Sequence, residues 1–184
     1  MRPAALLDAC TMYPVGLRDT LLSVAQARVF RPLWSAQILA EVRGAILRSV
    51  PGVEPARIDR MLDDMRAAFP NAMVAGYSRL VPEMTNDPAD RHVLAAAVAG
   101  GADVIVTWNV RHFPPSACRP LGIAVATPED FLTKLHREDP DAVELALARQ
   151  VARYVAPPMT IEDLLARHAP RLPRFVAAVR ARRQ

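Results

Sequence analysis

Asp8, Glu41, Asp87, Asp90 and Asn109 are the residues whose types and settings could do chemistry. Asp8 ends the apolar run Ala4-Ala5-Leu6-Leu7. A carboxylate directly after a buried strand is costly to hide, so Asp8 should emerge at that strand's carboxyl end. Asp87 and Asp90 frame an Asp-Pro-Ala-Asp helix start, and Asn109 lies just past the β-branched run 103–107. That is the edge where open α/β sheets place their sites. Glu41 lies beside Val42 and three residues after Ile38, at the border of a helix's apolar face. Carboxylates brought close together repel, and their pKa values rise unless a divalent cation neutralises them. Oxygen donors without a His/Cys set favour Mg²⁺ or Mn²⁺ over Zn²⁺. Such ions ionise water and steady the charge of an in-line attack on phosphorus.

A plainer role stands beside each of these readings. Asp87 and Asp90 fit a capping box, with Pro88 at the first helical position, and Asp87 can cap while Asp90 points toward Asn109. Asp8 could be a solvated loop aspartate, and Glu41 could reach water or pair with Arg43. Thr11 could orient a carboxylate or a water, or serve only as a turn hydroxyl.

The elements that must position these residues follow from periodicity and punctuation. Strands are expected near 4–8, 72–75, 104–107 and 123–126, with helices between them. Helices are expected over 19–30, over 35–49 behind a Ser35 cap, and over about 54–69. Residues 31–34 read as a short connector and 77–84 as a linker. Val93, Leu94, Ala97 and Val98 form an apolar stripe that Gly100-Gly101 stops. Thr127 caps a helix ending near residue 135. The fold class is therefore α/β: a small, doubly wound parallel sheet flanked by helices over 1–135. A helical C-terminal extension follows over 136–184. In it, 139–154 forms a helix, Pro157-Pro158 breaks the chain, and Thr160 to Asp163 looks like a capping box. A last helix over 171–184 turns Leu172, Phe175, Val176 and Val179 inward.

Length and composition bound the function. At 184 residues the chain suits one domain plus an appendage, and its 52% hydrophobic content supports a real core. No apolar run reaches membrane-spanning length, and Asp8 and Asp19 interrupt any signal-peptide pattern, so a cytoplasmic protein is expected. Cys10 and Cys118 show no metal-ligand or disulfide spacing. The net charge is +4 with pI near 9.7, and Lys134 is the one lysine, so arginine carries the basicity. Arginine suits bidentate phosphate recognition, although a GC-rich genome would produce the same bias.

Four stretches together resemble a known family. They are Leu6-Leu7-Asp8, Ile-Leu-Ala-Glu41-Val, the run 86–97 containing Asp-Pro-Ala-Asp-Arg-His, and Val-Thr107-Trp-Asn109-Val-Arg-His-Phe113. Over residues 4–135 the chain resembles the PIN-domain ribonucleases, most closely the VapC-type toxins of toxin–antitoxin pairs. The resemblance implies Mg²⁺-dependent cleavage of RNA by a metal-activated water at the sheet's carboxyl edge, with an antitoxin protein as partner. By matched position, Asp8, Glu41 and Asp90 are the metal-ligating acids, Asp87 is an extra metal ligand or an acid behind them, and Thr107 orients an acid or a water. Asn109 departs from the aspartate often found at the fourth position; an amide oxygen can ligate but brings no charge and no base. Arg91 and Arg111 are candidates for holding RNA phosphates. His92 and His112 are read as surface or helix-packing groups. The extension resembles that of longer toxins of this type and could bind the antitoxin or shape an RNA groove, and apolar surface on the second and third helices suits a homodimer.

Other classes fit less well. A receiver-type phosphoacceptor needs a lysine near the last strand's end, and Lys134 lies within the following helix. A haloacid-dehalogenase-type phosphatase needs an aspartate at position 10, which is Cys10. A catalytically silent PIN module acting through protein contacts is kept open by Asn109 and opposed by Asp8, Glu41 and Asp90.

Overall fold

A computed structural model of the chain describes residues 2–183. Among them, β1 (Ala4–Leu7), β2 (Arg31–Ser35), β3 (Met73–Val74), β4 (Val104–Val106) and β5 (Ala124–Ala126) form one sheet. Every pairing is parallel and the order is β3-β2-β1-β4-β5. The chain leaves β1 toward one edge and returns to build the other, so the crossover direction reverses between β1 and β4. At such a point the flanking connections diverge to opposite faces, which leaves a crevice at the strands' carboxyl ends. Asp8 follows β1 there, and Thr107 and Asn109 follow β4.

The expected strands are all present, and β2 corrects the connector expected at 31–34. Arg31-Pro32 disguised it, because proline is rare inside a sheet. Ala5 lies opposite Pro32 on one side, but β3 reaches only Trp34 and Ser35 on the other. The missing Pro32 N–H therefore falls where no second neighbour asks for it. The linker expected at 77–84 is a 3-10 helix over Tyr77–Glu83 packed against the helix that follows.

The helices are α1 (Ala9–Met12), α2 (Val15–Gln26), α3 (Ala36–Ser49), α4 (Pro55–Ala68), α5 (Arg91–Ala99), α6 (Pro115–Cys118), α7 (Pro128–Glu138), α8 (Pro140–Ala152), α9 (Ile161–His168) and α10 (Pro173–Arg183). Ser35 caps α3 by accepting from Ile38 N, as expected. Helix α5 is buried from His92 to Ala97, and a Gly100 Cβ would come within 2.7 Å of Val74 Cγ2, so only glycine lets its end pass the sheet. Gly101 then turns the chain at φ +61.

The C-terminal helices pack on the sheet domain. The boundary expected at 135/136 falls within α7, and Asp139 caps α8. Helix α8 lies along α2 through a polar seam: Thr20 Oγ1 donates to Gln150 Oε1 at 2.9 Å and lies 2.8 Å from His168 Nε2. Arg153 donates to Ser23 Oγ at 2.8 Å and Tyr154 Oη to Asp19 at 2.6 Å. The expected capping box of Thr160 and Asp163 opens α9. Leu172, Phe175, Val176 and Val179 are buried as expected, while Gln184, the expected last residue of that helix, lies outside the described residues. Arg174 bonds Glu129 and Asp130, and Arg182 bonds Asp141 and Glu144. Exposed pairs of this kind contribute little each, so the apolar face carries the docking.

Candidate functional site

Asp8 is 3% exposed at the end of β1, and one carboxylate oxygen gathers two donors. Thr107 Oγ1 donates to Asp8 Oδ2 at 2.6 Å and Cys10 Sγ approaches the same oxygen at 3.1 Å. Burial pushes the Asp8 pKa up from its ordinary value; the Thr107 and Cys10 hydrogen bonds pull it down, the charge of Asp90 pushes it up, and the Ala9 N–H pulls it down. Thr107 also accepts from Asn109 N at 2.9 Å, so one hydroxyl braces both the acid and the turn that carries the carboxamide. Of the two roles open to Thr11, the turn hydroxyl is the one seen: it donates to the Asp8 backbone carbonyl at 2.8 Å, which fixes the first turn of α1.

Asp87 caps the Pro88–Asp90 3-10 turn by accepting from Ala89 N. The reciprocal half of the expected capping box does not form. Asp87 N donates to the His112 carbonyl at 3.1 Å, and Asp90 turns its carboxylate to His112 Nδ1 at 2.5 Å. Asp90 therefore faces His112 directly, and the two bonds clip the 87–90 turn to the segment after β4. Ligand atoms of Asp87, Asp90 and His112 lie within 4.8 Å of one another; those of Asp8, Glu41 and Asp90 do not form such a group among the described residues. Glu41 stands on α3 with its side chain 40% exposed and Oε1 3.0 Å from His92 Nε2, on the first turn of α5.

The histidines are thus more than surface or packing groups. His92 holds Glu41, His112 holds Asp90, and both follow an arginine within the two motifs that were legible in the sequence. Cys10 is a further residue that sequence reasoning missed; its place two residues after Asp8, on the first turn of α1, was the available signal. Burial and the Asp8 charge push its thiol up to about 12, so it serves as a hydrogen-bond donor and not as a nucleophile. Arg91 Nε reaches the Asn86 carbonyl at 3.4 Å, and Arg111 Nε lies 3.4 Å from His112 Nε2, leaving each guanidinium's terminal nitrogens outside these contacts.

The donor set fits a hard divalent cation. Carboxylate oxygens dominate it, the charge of Asp90 adds to burial in disfavouring the Asp8 carboxylate, and His112 adds one nitrogen. The buried Asn86 side chain beside Asp87 has neither amide atom hydrogen-bonded among the described residues, so the loop retains polar capacity that the protein does not fill.

Residues 4–111 match the family model described as "PIN domain", and residues 128–181 match the one described as "VapC50 C-terminal domain". A similar relative is the Mycobacterium tuberculosis (strain ATCC 25618 / H37Rv) protein named "Putative ribonuclease VapC50", 39% identical over 109 residues. The match covers 59% of this chain and 64% of that relative, so it spans less than two thirds of the relative's length. No solved structure matches the chain.

Proposed function

This chain belongs to the PIN domain family, and from that premise we propose that it is a Mg²⁺-dependent endoribonuclease, the toxin of a toxin–antitoxin pair, with Mn²⁺ able to substitute. The observation that carries this reading is the buried Asp8 at the sheet's reversal point, its carboxylate pushed up first by burial and further by the charge of Asp90, beside the group of Asp87, Asp90 and His112. A buried carboxylate facing the charge of a second acid is relieved by a cation. When bound, such an ion supplies counter-charge and Lewis-acid activation of water and phosphate.

The chain's own residues supply the rest. Asp8, Asp90 and Glu41 would hold the ion, with Asp87 an additional acid. Thr107 fixes the Asp8 carboxylate and Cys10 gives it a second donor. His112 and His92 orient Asp90 and Glu41. Asn109 presents its amide at the crevice, and without charge it can orient a water but cannot take its proton. Arg91 and Arg111 hold the phosphates on either side of the scissile bond. The nuclease unit is 1–135, with 136–184 as an extension docked on α2.

The partners of this reading are RNA, a cognate antitoxin and a second copy of the chain, in the cytoplasm. Among the described residues no helix is long and apolar enough to cross a membrane. A groove of about 510 Å³ between α2, α3 and α4, with Val15 63% and Val50 48% exposed, supports a protein contact there.

The test is cleavage of structured cellular RNA by purified protein with Mg²⁺ or Mn²⁺, with EDTA, and by Asp8→Asn and Asp90→Asn variants. Cleavage that requires the ion and is lost in both variants supports the reading. Absence of cleavage together with absence of Mg²⁺ binding by calorimetry favours the silent module that works through protein contacts.

A further inference from the structure

A cavity of about 250 Å³ opens where the C-terminal helices meet the sheet domain, with Tyr13, Trp108, Met159, Arg167, His168 and Arg171 among the residues lining it. Two of its walls are extensions of the candidate site. Tyr13 directly follows α1, the helix that Asp8 opens. Trp108 directly follows Thr107, and its backbone N–H bonds Cys10 Sγ at 3.3 Å, the same sulfur that donates to Asp8. The other walls come from the start of α2, from α9 and from the segments flanking α9, so the cavity is closed only because the extension docks.

The chemistry of the lining is specific. Trp108 and Tyr13 are partly exposed while packed against the core, and so present held ring surface. Arg167 and Arg171 are exposed and form no ion pair among the described residues, in contrast to Arg174, Arg180 and Arg182 on the same extension. His168 is tied to Thr20. Aromatic faces with unpaired guanidinium groups beside them suit an unstacked nucleobase and its phosphate, because every base has a π-face and arginine takes phosphate bidentately. A duplex cannot offer a base to such a cavity without opening.

We infer that this cavity binds one unstacked nucleotide of a single-stranded RNA segment flanking the scissile phosphate, with Trp108 and Tyr13 stacking on the base and Arg167 and Arg171 holding its phosphate. The inference rests on the nuclease reading and adds to it the role of the C-terminal extension: it completes a subsite for a single-stranded substrate.

The test reads binding apart from cleavage. Of the two tryptophans, Trp34 is fully buried, so a stacking ligand reports through Trp108. EDTA-treated full-length protein is titrated with single-stranded oligoribonucleotides and with a duplex of the same sequence, following both tryptophan emission and RNA anisotropy. Saturable quenching by single strands, absent in Trp108→Phe, is expected. Roughly tenfold or greater weakening is expected in Trp108→Leu, the range for losing one base–aromatic stack, and weakening is also expected in Arg167→Ala/Arg171→Ala, whose exposed side chains can be replaced without threatening the fold. RNA binding without quenching, equal quenching by duplex, no RNA binding, or wild-type affinity in the double arginine variant would each overturn the inference. Metal-dependent, Asp8-dependent cleavage in parallel keeps the nuclease reading standing when the pocket fails; its absence removes that reading instead.

Discussion

Thr107 Oγ1 donates to Asp8 Oδ2 across 2.6 Å, joining the ends of β1 and β4 at residues 99 positions apart in the chain. The same hydroxyl accepts from Asn109 N. A single side chain therefore sets both the rotamer of the candidate metal-holding acid and the path of the backbone that carries the carboxamide. Thr107→Val keeps the shape and removes both bonds. Hydrogen bonds to charged groups contribute about 1.5–3 kcal/mol, so the variant should unfold at lower denaturant. Its cleavage should fall roughly 10–100-fold, as for other groups that orient metal ligands. Urea denaturation and single-turnover assays check the two effects.

Asp8→Asn should separate stability from activity. The folded-state pKa of Asp8 is raised, so its contribution is fully present below the unfolded value near 3.8 and is lost as pH rises through the folded value. The metal-free protein should therefore gain stability from Asp8→Asn at neutral pH and show a flatter stability–pH slope. A gain of about 1 kcal/mol corresponds to roughly 2–4 °C in Tm at this chain length. Cleavage should drop by more than the roughly 10–100-fold of an orienting residue. Thermal scans across pH in EDTA, paired with RNA assays, provide the comparison.

Addition of Mg²⁺ or Mn²⁺ should raise the Tm of the wild type most at neutral pH, where the carboxylates are most in need of counter-charge, and release protons. For one site the stabilisation follows RT ln(1 + [L]/Kd), about 2.7 kcal/mol at a hundredfold excess over Kd. The Asp8→Asn and Asp90→Asn variants should lose most of this shift. An equal shift in wild type and variants would place the ion elsewhere.

His112→Gln should disturb the site without unfolding the protein, since His112 is partly exposed and its backbone bond to Asp87 N is retained. Asp90 loses its nitrogen partner, so metal affinity should weaken by roughly 10–100-fold. Isothermal calorimetry with Mn²⁺ reads this, and excess ion should recover part of the cleavage.

Docking of the extension should be sensitive to mild acid. Burial lowers the pKa of His168 from its ordinary 6.5. A depressed histidine contributes stability that is present above the unfolded value and is lost as pH falls below about 6.5 toward the folded value. Hydrogen-exchange protection in α8 and α9, taken relative to the intrinsic rate at each pH, should fall below that pH. Thr20→Val, which leaves His168 and Gln150 without their shared hydroxyl, should cost about 1–3 kcal/mol.

The sheet was legible wherever an apolar run carried its own pattern, as at 4–7 and 104–106, and the caps at Ser35, Thr127 and Thr160 were read from short local spacing. Strand β2 escaped because Pro32 contradicts a central strand locally, and only the short reach of β3 makes it admissible. The capping box at Asp87 and Asp90 failed for a related reason. Local spacing permitted it, but His112 arrives from after β4 and takes the Asp90 carboxylate. For Thr11 the sequence left two roles open, and the turn geometry after Asp8 selected the backbone carbonyl over the carboxylate.

By itself the sequence determined the residue chemistry: an acid at a strand end and two at a helix start, an uncharged Asn109, two cysteines without metal-ligand or disulfide spacing, and basicity carried by arginine apart from Lys134. Those follow from residue type and from periodicities of two and 3.6, which are local properties. Only the tertiary structure decided which groups meet. It paired His112 with Asp90 and brought His92 beside Glu41, set Thr107 on Asp8, and closed a cavity between Trp108 and the extension's arginines. Each of those contacts joins elements far apart in the chain, and their distances are fixed by the order of the sheet and the packing of helices upon it, which no local pattern encodes.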